Sequence, residues 1–377
     1  MTTRVARERG AEILSVGLTC AVGLRAPFAA AAVRAGIMKF EESDTFDRRG
    51  QPFVQARVPL ARLPKLPQTP ASLTAYETKL VRLAFAAASE ALAPVTHLLA
   101  SEPRHGSMRA PHLGGAPVQR RSAGSYLPVT LALPGAHPGL APLARPDPCL
   151  RTLMASLHID PAQARTVTRG RASGLLALGE AISCIEAGEP LALAVAADSF
   201  DEPDLLAALD HEDRVRADGV YDGFTPGEAG ASILLAAHGT AARLGRPLLG
   251  HVDAVTTADE PGHRYSAEPH RGDGLAAAIR EILTGSPTAL QIPIIYAGLN
   301  GEGLFAKEWG VAHIRNCDHF PPDARLEHPA DCLGDTGTAS GLLLTILAAL
   351  DPRRSAAAPT LVWAASDHEM RATTLLR

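Results

Sequence analysis

The stretch with the most explicit chemical signal is TRGRASGLLALGEAISCIEAGEPLALAVAADSF, which runs from Thr168 to Phe200. Its sequence predicts a turn, a helix that ends at a glycine, and a buried strand. A turn into a helix is a place where backbone N–H groups and the helix dipole stabilise a thiolate or an oxyanion. The residue at this turn is Arg171, which stays protonated and therefore cannot act as a nucleophile.

Ser173 is the hydroxyl-bearing residue nearest to this turn. The nucleophile elbow has the order G-x-S-x-G, whereas the segment GRASG places the serine one position late. We therefore predict that Ser173 belongs to the helix N-terminus and is not catalytic.

Cysteines and histidines elsewhere offer weaker candidates. Cys317 and Cys332 could be reactive thiols, but free cysteines are more often small buried hydrophobic residues. His313, Cys317 and His319 could bind a metal ion, yet their spacing matches no standard zinc pattern. His251, His263 and His270 lie in or beside a polar segment, where we expect solvated side chains. We predict no metal site and no cofactor.

The elements that must position these residues alternate between apolar β-rich runs and helical patterns. The runs lack period-2 alternation, which indicates strands buried on both faces and hence parallel sheets covered by helices. Predicted strands include EILSVGLT, VTHLLAS, a run within SYLPVTLALP, PLLGHVDAV, ALQIPIIYAGL and, as the last element, PTLVWAAS. Predicted helices include APFAAAAVRAGI, Ser72–Ala93, Ser173–Ala187, Gly274–Thr284, GEGLFAKEWGVAH and TASGLLLTILAALDP.

Composition narrows the class of protein. The chain has 377 residues and a formal net charge of -4, so no basic excess favours nucleic acid or an anionic membrane as a partner. Its five cysteines are an odd number without a C-x-x-C motif, which argues against a disulfide framework and for a reducing compartment. No apolar run suits a signal peptide or a membrane span of roughly 20 residues. We expect a cytoplasmic protein.

Four stretches, in order, resemble β-ketoacyl-acyl carrier protein synthases of the thiolase superfamily. They are VGLTCAVGLRAPFAAAAVRAGI, ASGLLALGEAISCIEAGEPLALAVAADSF, GFTPGEAGASILLAA and CLGDTGTASGLLLTILAAL; the second resembles the family's nucleophile helix and dimer-interface strand. The resemblance implies an αβαβα five-layered α/β fold built from two similar halves, which we place at residues 1–245 and 246–377. It also implies a homodimer, and a structural role for Glu228 in PGEAG.

In that family a cysteine at the helix N-terminus takes the acyl group as a thioester, and two histidines assist decarboxylation and condensation. Carried over position by position, the cysteine falls at Arg171, the first histidine at Gly298 and the second at Asp335. A family lysine falls near Ala330 and Asp331, and ASDHEMRA replaces a glycine-rich gating loop. The resemblance thus implies a framework without its catalytic groups.

A cation at a helix N-terminus is disfavoured by roughly 0.3–1 kcal/mol at exposed sites, and a buried one needs a partner. We hypothesise that Arg171 pairs with Asp335 and fills the former active site. The alternative is that Arg171 points to solvent or binds an anionic ligand.

Two classes of function remain open. The first is a non-catalytic scaffold or adaptor subunit whose partner is an effector, a carrier protein or an active ketosynthase. Chains of this appearance also occur beside genes for type VI secretion effectors, which suggests an accessory role in effector delivery by association only. The second is an acyltransferase with a relocated nucleophile. It would need a basic surface for an acidic carrier protein, for which Arg165, Arg169 and Arg171 are the candidates.

Overall fold

The computed structural model describes residues 10–96, 127–284, 290–355 and 358–377. Within these residues the strands are β1 (Ala11–Cys20), β2 (Glu41–Phe46), β3 (Pro52–Gln55), β4 (Val129–Ala132), β5 (Ala164–Val167), β6 (Leu191–Ser199), β7 (Glu228–Ala236), β8 (Gly250–Asp259), β9 (Ile294–Ala297), β10 (Arg325–Glu327), β11 (Thr360–Ala365) and β12 (Met370–Leu376). The α-helices are α1 (Ala26–Arg34), α2 (Ala75–Leu92), α3 (Pro146–Leu157), α4 (Ser173–Glu186), α5 (Pro203–His211), α6 (Thr240–Arg243), α7 (Asp273–Thr284), α8 (Gly303–Arg315), α9 (Ala330–Leu333) and α10 (Ser340–Ala349).

The main sheet repeats one strand order twice. Its order is β10-β9-β11-β12-β8-β1-β7-β6-β4-β5, and β2 and β3 pair separately. From the centre of the sheet outward, one half has the order β1-β7-β6-β4-β5 and the other has β8-β12-β11-β9-β10. The first set, β1, β4, β5, β6 and β7, therefore corresponds in chain order to β8, β9, β10, β11 and β12. Pairing directions match as well: β4 and β9 pair in parallel with both neighbours, while β6 with β7 and β11 with β12 are antiparallel. The domain division at residues 245 and 246 remains a proposal.

The two halves of the main sheet are each covered by helices on the outer face, and two further helices pack between the halves. Helix α4 packs on β4 and β6 and also on β8, and α10 contacts both β7 and β11, so these two helices form the middle layer. Helix α2, with α3 against it, covers the outer face of the first half, and α7 with α8 covers the second. Helix α10 is apolar on all sides, as a helix between two sheets must be. The predicted αβαβα architecture is thereby confirmed.

Most predicted elements are present, with some corrections. The helix predicted over Ser72–Ala93 runs from Ala75 to Leu92, because a capping box between Thr74 and Glu77 fixes its start. The sheet is mixed and not wholly parallel, because β1, β7, β8 and β12 run antiparallel to their neighbours. The strand PTLVWAAS is followed by β12 and is therefore not the last element. VTHLLAS lies mostly outside the described residues, and its Val95 ends a 3-10 turn.

The strand that resembles a dimer-interface strand lies inside the sheet. Strand β6 pairs with β4 on one side and β7 on the other, so its backbone cannot pair with a second chain. Strand β5 is the edge strand of this half. Among the described residues no helix is long and apolar enough to cross a membrane.

Candidate functional site

Arg171 occupies a tight turn directly before α4. The turn is a 3-10 segment from Gly170 to Ala172, and Gly170 has a φ of 67°, in the left-handed region that favours glycine. The Ser366 hydroxyl accepts a hydrogen bond from the Ala172 N–H at 3.1 Å and donates to the Arg169 carbonyl. This clamp ties the turn to the segment after β11 and points the Arg171 side chain inward, where it is 6% exposed. Arg171 therefore does not face solvent.

The hypothesised pair between Arg171 and Asp335 is present. The Arg171 Nε donates to Asp335 Oδ2 at 2.6 Å, and its Nη1 lies 2.8 Å from Asp367 Oδ2. Asp335 also accepts hydrogen bonds from Asn300 Nδ2 and from the Gly337 N–H, both at 2.8 Å. Burial alone would lower the pKa of Arg171, but Asp335 and Asp367 raise it well above its usual value. The guanidinium is therefore a permanent cation held by two carboxylates.

Aromatic rings enclose the same guanidinium. The centroids of the Phe200, Phe224 and Phe305 rings lie 5.8, 5.3 and 5.5 Å from the Arg171 Cζ. At such distances a cation is attracted to the ring face, more strongly when the pair is shielded from water. The pocket thus favours a positive charge in two ways, by carboxylates and by ring faces.

The pair belongs to a larger buried charge network. Arg214 donates to Glu302 Oε1 at 2.9 Å and to Asp367 Oδ1 at 2.9 Å, and Arg264 donates to Glu302 Oε1 at 2.7 Å. With Arg171 and Asp335, the network holds three guanidiniums and three carboxylates, so its formal charges cancel. Burial would raise the pKa of Asp367, but the surrounding arginines lower it well below its usual range. Each buried charge has an opposite partner, as buried charges require.

Little free space remains beside the pair. A cavity of about 20 Å³ is lined by Arg171, Gly298, Asn300 and Asp335, among others, which is room for about one water molecule. A Cβ at Gly298 would lie 3.0 Å from the Trp363 carbonyl oxygen, so a side chain could enter here only if β11 moved. Arg171, Gly298 and Asp335 are therefore brought together, but around a filled space.

Arg171 also lines a second, larger cavity of about 340 Å³. Its wall includes loops after β4, β5 and β6 and the turn between β11 and β12; its members include His137, Thr168, Arg169, Asp198, Tyr265, Asp367, His368 and Glu369. Burial raises the pKa of Asp198 to about 6, although the backbone N–H groups of Thr338 and Ser199 oppose the shift. The larger cavity has both apolar and charged residues in its lining and lies on the side of Asp367, and Gly298 does not line it.

Ser173 and Glu228 have structural contacts, as predicted. The Ser173 side chain is fully buried, and its hydroxyl accepts from the Arg169 N–H at 2.6 Å. Glu228 accepts from Ser199 Oγ and pairs with Lys79 Nζ, each at 2.6 Å. Neither group is available for proton transfer with a ligand in the cavities described above.

Four of the five thiols are disfavoured as nucleophiles. Burial raises the pKa of Cys332, and does the same for Cys184. It raises the pKa of Cys20 to about 11 and that of Cys149 to about 12. A raised pKa reduces the thiolate fraction at neutral pH. The fifth cysteine, Cys317, is exposed in a 3-10 turn after α8.

Several other sequence candidates are explained by packing. The His313 ring stacks on Phe320 at 5.0 Å, and the His319 Nδ1 lies 2.9 Å from the Leu290 carbonyl oxygen, so neither is oriented with Cys317 as a ligand set. Asp331 is exposed and pairs with His328 at 2.9 Å, while its neighbour Ala330 lines the small cavity.

The prediction that three histidines are solvated is wrong. His251 lies 2.9 Å from His238 and 3.1 Å from Asp253. His270 contacts the Gly262 carbonyl oxygen at 2.8 Å, and His263 is also only partly exposed. His251 lies in strand β8, and the loop that carries His263 and His270 folds back onto the turn between β11 and β12, a long-range contact that a polar local sequence does not reveal.

Sequence reasoning found Asp335 but missed the other two carboxylates of the network. Glu302 directly precedes α8, whereas Asp367 lies in ASDHEMRA, a segment interpreted only as a replaced loop. The run Asp367, His368, Glu369 between two apolar strands was the signal that could have found it, because three titratable residues in a tight turn seldom serve packing alone.

The basic surface that a carrier protein would need is weak. Arg169 is about half exposed, and its Nη1 lies 3.6 Å from Glu369. Arg165 is exposed and pairs with Glu180 at 3.1 Å. Arg171 is buried. The candidate arginines are therefore each matched by an acidic side chain.

No protein-family model matches the chain, and no curated protein matches it. Several solved structures are similar to it. The ishigamide ketosynthase/chain length factor aligns with a TM-score of 0.75 at 17% identity, over 98% of this chain and 99% of that chain. A ketosynthase from module 6 of the bacillaene synthase of Bacillus subtilis 168 aligns at 0.74 and 10% identity, over 97% and 72%. A type II polyketide synthase ketosynthase in complex with its acyl carrier protein aligns at 0.70 and 13%, over 98% and 99%. At these identities the similarity shows the ketosynthase-like fold.

Proposed function

We propose that this chain is a non-catalytic ketosynthase-fold subunit that acts by binding another protein. The observation that carries the proposal is the buried guanidinium of Arg171, paired with Asp335 at 2.6 Å at the position where the resemblance places the nucleophile. A thioester intermediate needs a nucleophile that can lose its proton, and arginine stays protonated. Gly298 and Asp335, at the positions of the two histidines, offer no imidazole for proton transfer.

The alternative, an acyltransferase with a relocated nucleophile, has less support. Burial disfavours the thiolate of four cysteines, and Ser173 is buried in a backbone contact. The small cavity beside Gly298 and Asp335 holds about one water molecule and cannot accept an acyl chain there.

The partner we propose is a second ketosynthase-fold chain, either another copy or an active ketosynthase. Strand β5 ends the sheet on its side and pairs only with β4 among the described strands, so its outer backbone groups form an edge to which another strand can add. One of the similar structures, the ishigamide ketosynthase/chain length factor, is by its name a pair of this kind. An accessory role in type VI secretion is a narrower version of this binding role and rests on association alone. We propose that the protein binds its partner in the cytoplasm.

Replacing Thr166 with proline tests the edge of β5. The Val167 carbonyl accepts from the Leu133 N–H on the β4 side, and residues alternate along a strand, so the Thr166 N–H points away from β4. Proline removes that N–H and leaves the β4 pairing in place. We expect the parent to be a dimer and Thr166→Pro to be a monomer by light scattering on a size-exclusion column.

The control is Thr166→Ala, which keeps the backbone N–H and should stay dimeric. Two results would contradict pairing through β5. The first is a parent protein that stays monomeric both alone and when mixed with active ketosynthases, and the second is a Thr166→Pro variant that dimerises like the parent.

A further inference from the structure

Two segments that are far apart in the sequence are locked side by side at the rim of the larger cavity. The segment after β8 and the turn between β11 and β12 are joined by two backbone hydrogen bonds. The Glu260 N–H donates to the Glu369 carbonyl at 2.7 Å, and the Arg264 N–H donates to the Asp367 carbonyl at 3.0 Å. These bonds fix the positions of the residues that lie between them, namely His263 and His368.

Three side chains of types that can bind a metal ion lie close together between these segments. One ligand atom each from His263, His368 and Glu369 lies within 4.8 Å of the other two, the one group of this kind among the described residues. The ring centroids of His263 and His368 are 5.6 Å apart. The His263 Nδ1 is buried and has no hydrogen-bond partner, which is unusual because buried polar atoms are nearly always paired. That nitrogen lacks the contact that a cation would supply.

The surroundings leave the three ligands available. Glu369 is about one-third exposed, and the nearest Arg169 nitrogen is 3.6 Å from its carboxylate, longer than a hydrogen bond. The Tyr265 ring packs on His368 at 5.1 Å between centroids and restricts how that imidazole can turn. The negative charge that favours a cation comes from Glu369, because the Asp367 carboxylate in the same turn is already paired with Arg171 and Arg214.

We propose that His263, His368 and Glu369 bind one divalent transition-metal ion of the zinc type. Two imidazoles and one carboxylate are a ligand set found at zinc and at non-haem iron sites with open positions. Bonds of about 2.0–2.1 Å place tetrahedral ligands roughly 3.4 Å apart, so the three ligand atoms, which now lie within 4.8 Å of one another, must move closer when the ion binds. His368 and Glu369 line the 340 Å³ cavity, so the remaining coordination position opens toward it and can take water or an anionic ligand. This inference does not depend on the proposed function.

The test is metal binding by the full-length protein after removal of metals with a chelator. Zn²⁺ is titrated in competition with a chromogenic chelator, and Co²⁺ is bound separately for its visible spectrum. We expect one equivalent of Zn²⁺ per chain, a higher melting temperature when it binds, and a Co²⁺ spectrum without thiolate charge-transfer bands. His263→Ala and His368→Ala should each weaken binding at least 100-fold, and Glu369→Gln at least 10-fold.

Two variants control for binding elsewhere. His328→Ala removes an exposed histidine that contacts Asp331, and Cys317→Ser removes the exposed thiol; both should bind Zn²⁺ like the parent. The metal-free melting temperature of Glu369→Gln should equal that of the parent, which separates loss of the site from loss of the fold. No binding by the parent, retention of binding in both histidine variants, or loss in Cys317→Ser would overturn the proposal.

Discussion

Asp335→Ala is expected to lower the free energy of unfolding by about 3–5 kcal/mol, the usual result when one partner of a buried ion pair is removed. Asp335 is 3% exposed and contacts Arg171, Asn300 and the Gly337 N–H. Its loss leaves the Arg171 cation with Asp367 as its remaining carboxylate and leaves the buried Gly337 N–H without an acceptor, whereas Asn300 Nδ2 keeps Glu302 Oε2 at 2.8 Å. Urea unfolding followed by circular dichroism measures the change as a lower midpoint.

The matched control is Asp331→Ala, the same substitution four residues earlier. Asp331 is exposed and pairs with an exposed histidine, so its removal should change stability by less than about 0.5 kcal/mol. If both variants unfold at the same urea concentration as the parent, the charge network does not stabilise the fold.

Arg171→Met should be destabilising to a similar extent, about 3–5 kcal/mol. Methionine keeps an unbranched apolar chain among Phe200, Phe224 and Phe305, so the main loss is electrostatic: Asp335 and Asp367 then face each other without the cation between them. Adding Asp335→Asn removes the carboxylate that lost its arginine partner, since Asp367 keeps Arg214 at 2.9 Å. We therefore expect the double variant to be more stable than the sum of the single effects predicts.

The difference is the coupling energy of a double-mutant cycle, expected to lie between about 0.5 and 3 kcal/mol. Each of the four proteins is unfolded in urea under the same conditions, with equal slopes as the check on two-state behaviour. Additive effects would show that Arg171 and Asp335 do not interact.

The sequence predicts the framework well because long apolar runs carry most of it. Strands β1, β6 and β7 and helices α4 and α10 are nearly all apolar, and their periodicity and flanking glycines are local signals. Strand β12, MRATTLL, was missed because its start is polar and its Arg371 is buried against Glu308 at 2.5 Å, a contact that no local pattern reveals. The short strands β5 and β10 were also missed, because each is recognisable as a strand only by its pairing with a parallel neighbour.

The candidate site, like the fold, could be predicted from the sequence only in part. Arg171 and Asp335 could be paired from the sequence because the resemblance places both at one pocket. Glu302, Arg214 and Arg264 could not, because each lies on a separate element and is brought in only by the packing of the loops above the sheets. The turn of Asp367, His368 and Glu369 is conspicuous in the sequence. The residues that bond to its backbone, however, come from the segment after β8, which the sequence does not indicate.

The central claim is that this chain forms no acyl-enzyme, and intact-mass spectrometry tests it most directly. The purified, folded protein is incubated with acyl- and malonyl-thioester donors, both free and on a carrier protein, beside an active ketosynthase as the positive control. We predict an unchanged mass for this chain and a stoichiometric gain for the control. A gain equal to one acyl group on this chain would contradict the account, and peptide mapping would then identify the nucleophile that carries it.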